Sequence, residues 1–335
     1  MNGSSTNSVI STPCSYLLPV DEDRQSLQGY FIASIVIMSV ITIPTIFLNG
    51  LVLVGIWRSP PLHTPSNVLI CGLAASDLGA GVSVMPMFIA TSVAYSEGIL
   101  DIWCKVQTLS NLITPFFAGV SFVTITLISV DRMIALKFHL RYASVVTISR
   151  CLGSLVCLWI AGLVICSSHL WYVKFLHWAT VFIFSLCLGL CTFNNATILL
   201  ILRYHRVEIK RLQTQIEANQ DPKDNLNTRT NIAQRRKSSS NMLWVYGLFI
   251  ACYAPFLVVR IFKNLTTGHT KATFIAFTFT YFLVFCNSFL NPILYCMKMR
   301  PVRRSILALL PDPLRRCLAK HKVEPNNDIL KVFGH

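Results

Sequence analysis

Seven long apolar runs, separated by short polar segments, dominate the chain. Five of them contain no Asp, Glu, Lys or Arg: residues 31–57, 106–130, 151–173, 175–202 and 272–297. A sixth, 67–94, has Asp77 as its one charged residue, and a seventh begins at residue 242 and continues past Arg260. Each approaches or exceeds the ~20 residues with which a helix crosses a bilayer. The pattern predicts an all-α seven-transmembrane helix bundle, because membrane-spanning strands would show short segments of alternating polarity instead.

The composition also favours a membrane location. Only 13% of the residues are charged, whereas a soluble domain carries about 25%. The formal net charge is +15, and 23 of the 29 Lys and Arg residues lie in the links after the first, third and fifth spans and in the C-terminal tail. Basic residues favour the cytosolic side. We therefore predict a multi-pass plasma membrane protein with an extracellular N-terminus, whose basic segments contact membrane lipids and not nucleic acid.

The spans divide the chain into three parts. We predict an extracellular tail at 1–29, a seven-transmembrane domain at 30–299 with a long cytosolic loop at about 206–240, and a cytosolic segment at 300–335. Asn2 and Asn264 begin Asn-x-Ser/Thr triplets on the predicted outer side, so both are candidate glycosylation sites.

Asp77 is an acid in the middle of a span, where an ionised side chain is expensive and is expected to face the bundle interior. Other polar residues also lie deep in the spans, namely Asn49, Ser121, Asn287, Ser288 and Asn291. Two interpretations remain open on spacing alone. The oxygen atoms could hold a small cation, or a protonated Asp77 could form a hydrogen bond that only helps the helices to pack.

Short motifs occur in a fixed order along the spans. They are "LNGLVL" with Asn49, "LAASDL" with Asp77, "ISVDRMIALKFHLRY", Trp159 in the fourth span, "FIACYAP" and "NSFLNPILY", followed by "RPVRRSILALL". Over about residues 31–310 this set resembles the rhodopsin-like (class A) G protein-coupled receptors. The resemblance implies a receptor that activates a heterotrimeric G protein when an extracellular ligand binds. It also implies a short amphipathic helix after the seventh span.

The resemblance assigns roles to several groups of residues. Asp131 would hold Arg132 inward at rest, and activation would free Arg132 to meet the G protein. The wider set of coupling and activation residues is Asp131, Arg132, Leu140, Tyr204, Tyr295, Asn291 and Pro292. The implied toggle in the sixth span is Phe249, Tyr253 and Pro255. An allosteric sodium ion would be bound by Asp77, Ser121, Asn287, Asn291 and Asn49, which carry the oxygen ligands that a hard cation requires.

The matched positions also outline a ligand pocket, which would be lined by Thr114, Ala118, Tyr253, Phe256, Arg260, Phe277 and Tyr281. Amine receptors of this family carry an Asp where this chain has Thr114, so a monoamine ligand is disfavoured. An apolar, aromatic wall with one cation fits a lipid, an anionic small molecule or an acidic peptide. Arg260 could instead extend toward the membrane interface, as long cationic side chains do.

Several positions depart from the family pattern. Tyr253 replaces the usual tryptophan, and Arg235 stands where many relatives have an acid that pairs with Arg132. The second outer loop contains no cysteine, so the family disulfide is replaced in our prediction by Cys14–Cys104. A short outer loop without cysteine and a fifth span with Ala196 in place of proline are similar, in part, to the melanocortin, lysophospholipid, cannabinoid and adenosine receptors.

Two cytosolic positions are candidates for modification: Ser238 for phosphorylation, after a basic run, and Cys317 for palmitoylation. The alternative function is a seven-helix ion transporter or channel that uses Asp77, but such a protein needs further charges along a path through the membrane. The sequence shows no nucleophile–base set, so we do not expect an enzyme.

Overall fold

Eight helices form the fold in the computed structural model, which describes residues 24–138, 141–168, 171–218, 246–263, 265 and 271–311. The helices are α1 (Arg24–Trp57), α2 (Pro65–Ser96), α3 (Leu100–Lys137), α4 (Ile148–Ser167), α5 (Val173–Ala218), α6 (Tyr246–Lys263), α7 (Lys271–Lys298) and α8 (Arg300–Leu309). A single helical turn, Tyr142–Val145, lies between α3 and α4. No strand occurs among these residues. Seven of the helices are long and apolar enough to span a membrane, which confirms the predicted bundle.

Local signals in the sequence explain where individual helices begin. The Thr64 side chain accepts a hydrogen bond from the backbone N–H of Asn67 and thereby caps α2, with Pro65 in the first turn. Thr147 caps α4 in the same way through the N–H of Arg150. Threonine is favoured at this position because its hydroxyl satisfies a backbone donor that has no partner inside the helix.

Two helices extend beyond the apolar spans. Helix α1 begins at Arg24, inside the segment 1–29 that we predicted as tail. Helix α5 continues to Ala218, so the start of the predicted loop at 206–240 is helical. Hydropathy detects only the part of a helix that lies in hydrocarbon. The polar extension of α5 is rich in helix-forming residues and needs no apolar partner to be helical.

Helix α3 lies at the centre of the bundle and contacts α2, α4 and α5. One close contact with α2 depends on Gly79, where a Cβ atom would lie 2.1 Å from the ring of Phe117. The five residues after Gly79, Ala80–Val84, form a wider π-helical segment, which ends two residues before Pro86. Helix α8 packs on α1, and Ser305 Oγ donates a hydrogen bond to the carbonyl of Gly55 over 2.5 Å.

Candidate functional site

The C-terminal end of α3 carries a buried acid, Asp131, whose carboxylate has several partners. Asp131 is 3% exposed, and its Oδ2 lies 3.4 Å from a guanidinium nitrogen of Arg132. Ser66 Oγ donates to the same Oδ2 over 2.7 Å, and the Tyr142 hydroxyl donates to Oδ1 over 2.7 Å. The carboxylate is therefore shared between one cation and two neutral donors from α2 and from the turn after α3.

Tyr142 is a permanent donor in this cluster. Burial raises the pKa of Tyr142 to about 12 from its ordinary value of 10.0. The phenol therefore stays protonated at neutral pH and can donate to Asp131. Its oxygen also lies 3.2 Å from Ser66 Oγ, so the two hydroxyls that donate to Asp131 adjoin each other.

Arg132 is less completely engaged than its neighbour. Its side chain is 15% exposed, and its buried Nε has no hydrogen-bond partner among the described residues. It lines a cavity between α3, α5 and α6 whose other walls include Ser129, Asn195 and Tyr246. A guanidinium with unused donors beside an internal space is suited to change its partners.

A second buried acid joins three helices in the middle of the bundle. Asp77 is fully buried, and its Oδ1 accepts hydrogen bonds from Ser121 of α3 over 3.0 Å and from Ser288 of α7 over 2.8 Å. Its Oδ2 accepts one from Asn291 over 2.9 Å. Asn49 Nδ2 bonds instead to the backbone carbonyl of Ser288 over 3.1 Å, which brings α1 to the same level.

The hydrogen bonding of the polar atoms around Asp77 indicates whether a cation fits there. Buried polar atoms are nearly always hydrogen-bonded, yet four atoms in this region have no partner in the described structure: Oδ1 of Asn49, Oδ1 of Asn291, and both amide atoms of Asn287. Three of them are acceptor oxygens. No cationic side chain pairs with Asp77 in the described parts of the chain. An oxygen-rich surrounding with unused acceptors beside an acid fits a hard cation such as Na⁺.

Aromatic rings connect α3, α5 and α6 above this level. The ring of Phe122 stacks on Phe184 at 4.2 Å, and lies 4.6 Å from Phe249 and 4.8 Å from Tyr253, centroid to centroid. Phe249 and Tyr253 are both buried, and the half-buried Pro255 lies two residues after Tyr253 in α6. The predicted toggle residues therefore sit in one ring cluster with Phe122 and Phe184, which the sequence reading did not include.

One cavity connects the predicted ligand pocket with the acid cluster. A small internal space, about the size of one water molecule, is lined by Thr114, Ala118, Tyr253, Ser121 and Ser288, together with other residues of α2, α3 and α7. Thr114 and Ala118 belong to the predicted ligand pocket. Ser121 and Ser288 donate to Asp77. A molecule in this space would thus approach the hydroxyl groups that hold the acid.

The outer part of the predicted pocket is aromatic. Phe256, Phe277 and Tyr281 lie with ring centroids 4.9–6.1 Å apart. The guanidinium carbon of Arg260 lies 5.6 Å from the centre of the Phe277 ring. Arg260 is 8% exposed, so its side chain lies within the protein, which favours the interpretation as a pocket residue.

The two implied tyrosines differ in their surroundings. Tyr295 is buried and its hydroxyl has no partner among the described residues, whereas Tyr204 is 67% exposed. Pro292 is buried inside α7, directly after Asn291. Other predicted positions lie outside the described residues: Leu140, Asn2, Asn264, Ser238, Cys317, Arg235 and Cys14. Cys104 is disulfide-bonded, and the nine other described cysteines are free, so Cys14–Cys104 stays a prediction.

Sequence reasoning did not assign roles to Ser66 and Tyr142. Tyr142 ends the quoted motif "ISVDRMIALKFHLRY", eleven positions after Asp131, and this fixed spacing is the signal that could have identified it. Ser66 has no comparable signal, because only the packing of α2 against α3 brings it to the acid.

The fold defines a seven-helix membrane protein whose bundle encloses two buried acids and an aromatic cluster. Residues 48–177 and 165–295 match the family described as "7 transmembrane receptor (rhodopsin family)", and the chain belongs to this family. The chain is also similar to the trace amine-associated receptor 13c of Danio rerio, with 27% identity over 321 residues, which is 89% of each protein.

Family membership confirms the resemblance inferred from the motifs. The protein is a multi-pass membrane receptor for an extracellular ligand, and it couples to a heterotrimeric G protein. The family is a receptor class and not a class of enzymes. It also does not favour the alternative of an ion transporter or channel.

Proposed function

We propose that a ligand bound in the outer cavity shifts the packing around Asp77 and the α6 rings, and so frees Arg132 to engage the G protein. The cavity that reaches both Thr114 and the donors of Asp77 is the observation that supports this most directly. The receptor then has two states, and a ligand favours the active one to the extent that it binds that state more tightly. We place the receptor in the plasma membrane with the N-terminus outside, as the basic inner segments indicate.

The switch itself acts through Arg132. At rest the Asp131 carboxylate holds the guanidinium close to α3, and Ser66 and Tyr142 hold the carboxylate. When the inner end of α6 moves away, the cavity beside Arg132 widens and the side chain can turn toward the cytosol. Leu140, in the following loop, contributes an apolar contact to the G protein, and Tyr204 and Tyr295 approach each other in the active state.

Guanine-nucleotide exchange tests this function. Purified receptor in phospholipid nanodiscs is mixed with members of each class of heterotrimeric G protein, and GTP uptake is measured with and without candidate ligands. We expect at least one G protein to exchange faster than in receptor-free nanodiscs. Arg132→Ala should reduce that exchange at least tenfold, since the arginine provides the inner contact. An equal rate with Arg132→Ala would refute the role given to this residue.

We also propose that Asp77 binds a sodium ion in the resting state. The carboxylate, the Ser121 and Ser288 hydroxyl oxygens and the amide oxygen of Asn291 would hold it, and Asn287 and Asn49 would complete the polar surroundings. A bound cation neutralises the buried acid and ties α2, α3 and α7 together, which favours the resting packing.

The melting temperature of the purified receptor tests the sodium site without any ligand. A cation that binds only the folded protein at ten times its dissociation constant adds ~1.4 kcal/mol. We therefore expect a rise of a few degrees in NaCl relative to KCl at equal ionic strength. Asp77→Asn should remove the difference between the two salts. An identical melting temperature in both salts for the wild-type receptor would exclude the site.

An amine ligand is the second candidate for the receptor, because the similar protein of Danio rerio is named for trace amines. Pairing with an ammonium group requires an acid in the pocket. In this chain Thr114 occupies the position that carries the acid in amine receptors, and Arg260 adds positive charge to the wall. We therefore expect phenethylamine not to increase nucleotide exchange.

A further inference from the structure

Two cations converge on one aromatic ring at the outer end of the bundle. The Lys263 ammonium lies 4.3 Å from the centroid of Phe277, and the guanidinium carbon of Arg260 lies 5.6 Å from it. Both cations belong to α6, and the ring belongs to α7. Because like charges repel, bringing the two side chains to one ring is costly unless a negative group compensates them.

Arg260 is the deeper of the two, and no carboxylate in the described parts of the chain pairs with it. It is 8% exposed, and its Nε is buried without a hydrogen-bond partner in the described structure. No described carboxylate lies within 4.0 Å of either cation. A buried guanidinium is normally paired or fully hydrogen-bonded. The cation–π contact offsets only part of the loss of hydration.

The described acids cannot supply the missing charge where they stand. On this side of the bundle they are Glu97 and Asp101, at the adjoining ends of α2 and α3, and neither pairs with Arg260 or Lys263. Asp77 is engaged by three donors deeper in the bundle. A negative group that meets Arg260 must therefore come from a bound molecule, or from the chain's own acidic segment at 21–23.

The wall beneath the cations is apolar. Phe256, Phe277 and Tyr281 form a continuous aromatic surface, and the cavity lined by Thr114 and Ala118 lies deeper in the bundle. A guanidinium binds carboxylate and phosphate groups particularly well, because its planar donors match their oxygens. A molecule with one anionic head and one hydrophobic chain would therefore complement both the charged entrance and the apolar interior.

We propose that the receptor's ligand is an amphiphilic anion, whose carboxylate or phosphate head is bound by Arg260 and Lys263 and whose apolar chain lies along Phe256, Phe277 and Tyr281. The inference rests on the proposed function, since it names the class of ligand for the same pocket. It separates this receptor from amine receptors by the sign of the charge that it recognises.

Equilibrium binding to the full-length receptor tests the proposal. Four radiolabelled probes share one C18 chain and differ in the head group: oleate, an oleyl phosphate monoester, oleyl alcohol and oleylamine. The receptor is held in nanodiscs of phosphatidylcholine, which carries no net charge. We expect at least one of the two anions to bind at least tenfold more tightly than the alcohol and the amine. Equal affinity for all four probes would overturn the proposal.

Charge-removing variants locate the head group. Arg260→Gln should weaken binding of the anion at least tenfold, Lys263→Gln about threefold to fivefold, and Arg260→Lys less than Arg260→Gln. The matched control is Lys105→Gln, which removes an exposed lysine near the outer end of α3 and should change the affinity less than twofold. Arg260→Gln removes a buried charge, so the melting temperature of the ligand-free variant should be unchanged or higher. A loss of binding at an unchanged melting temperature cannot then be attributed to misfolding. If Arg260→Gln and Lys263→Gln each change the affinity for the anion by less than twofold, the assignment of the head-group site is wrong.

Two further measurements distinguish the remaining outcomes. If the wild-type receptor binds neither anion but the triple variant Asp21→Asn, Glu22→Gln, Asp23→Asn binds one, the cations are occupied by the receptor's own tail and the proposal is wrong. Nucleotide exchange by the wild-type receptor is measured in the same nanodiscs. Exchange without anion binding overturns this inference and leaves the proposed function intact. Anion binding without any exchange supports the inference and counts against the proposed function.

Discussion

Asp77 and Asp131 are two buried acids of one bundle with opposite surroundings. Asp77 is enclosed by neutral donors from α3 and α7 and has no cationic partner among the described residues. Asp131 lies beside Arg132 and is held further by Ser66 and Tyr142. Burial alone therefore does not define the role of an acid in a membrane bundle. An acid without a protein cation is suited to receive one, whereas an acid with a cation is suited to release it.

The largest effect is expected where the protein's own ion pair is broken. Asp131→Asn removes the charge that holds Arg132, so the active packing becomes easier to reach. We expect basal nucleotide exchange to rise about tenfold, which corresponds to ~1.4 kcal/mol. Exchange measured without ligand on equal amounts of receptor checks this. An unchanged or lower rate would mean that the ion pair does not restrain the resting state.

Neutralising the other acid should stabilise the protein. Asp77→Asn keeps the size and most of the hydrogen bonds but removes an uncompensated buried charge. In sodium-free buffer we expect the melting temperature to rise by a few degrees, whereas Asp131→Asn should lower it. If the two substitutions shift the melting temperature in the same direction, the contrast between the two acids is wrong.

A smaller effect is expected from the tyrosine that supports the inner acid. Tyr142→Phe removes one donor to Asp131 but keeps the ring, and we expect basal exchange to rise about threefold. The matched control is Ser144→Ala in the same turn, whose hydroxyl bonds only to the carbonyl of Arg141 and should not affect exchange. A tyrosine effect no larger than that of the serine control would show that the hydroxyl is dispensable.

The pH dependence of this contact follows from the raised pKa of Tyr142. The folded protein favours the protonated phenol, so the contribution of the hydrogen bond is fully present below the ordinary pKa of 10.0 and is lost as pH rises toward about 12. Between pH 6 and 9 the ratio of basal exchange for wild type and Tyr142→Phe should therefore be constant.

The smallest effect is expected at Ser66, which shares Oδ2 of the acid with Arg132. Ser66→Ala removes one hydroxyl donor, and basal exchange should rise about twofold, less than for Tyr142→Phe. Reversal of that order would indicate that Ser66 is the principal neutral donor to the acid.

The spans could be predicted because hydropathy is a local property. Apolar runs of sufficient length form helices in a bilayer whatever their neighbours are, and seven such helices are observed. The polar extension of α5 was missed for the same reason, since no hydrophobic signal marks it. The motifs also identified Asp77, Ser121 and Asn291, and the structure brings these three into direct contact.

Contacts between distant residues were harder to predict. Ser66 meets Asp131 only because α2 packs on α3, and Arg260 and Lys263 share Phe277 only because α6 adjoins α7 at its outer end. Phe122 and Phe184 join the toggle rings through side-chain packing across three helices. Such contacts between side chains depend on the rotation and tilt of the helices, which single positions in a sequence do not specify. Lys263 was noted as a nearby charge, but its shared ring with Arg260 emerges only in three dimensions.

Gly79 has no side chain, and the Phe117 ring therefore packs directly against the backbone of α2. The Phe117 ring fills the space that a Cβ atom would need, and the same ring lines the cavity above Ser121. A molecule that pressed on this ring would push directly against the backbone of α2, two residues from Asp77. The Phe117 ring therefore bridges the cavity wall and the part of the α2 backbone that adjoins Asp77.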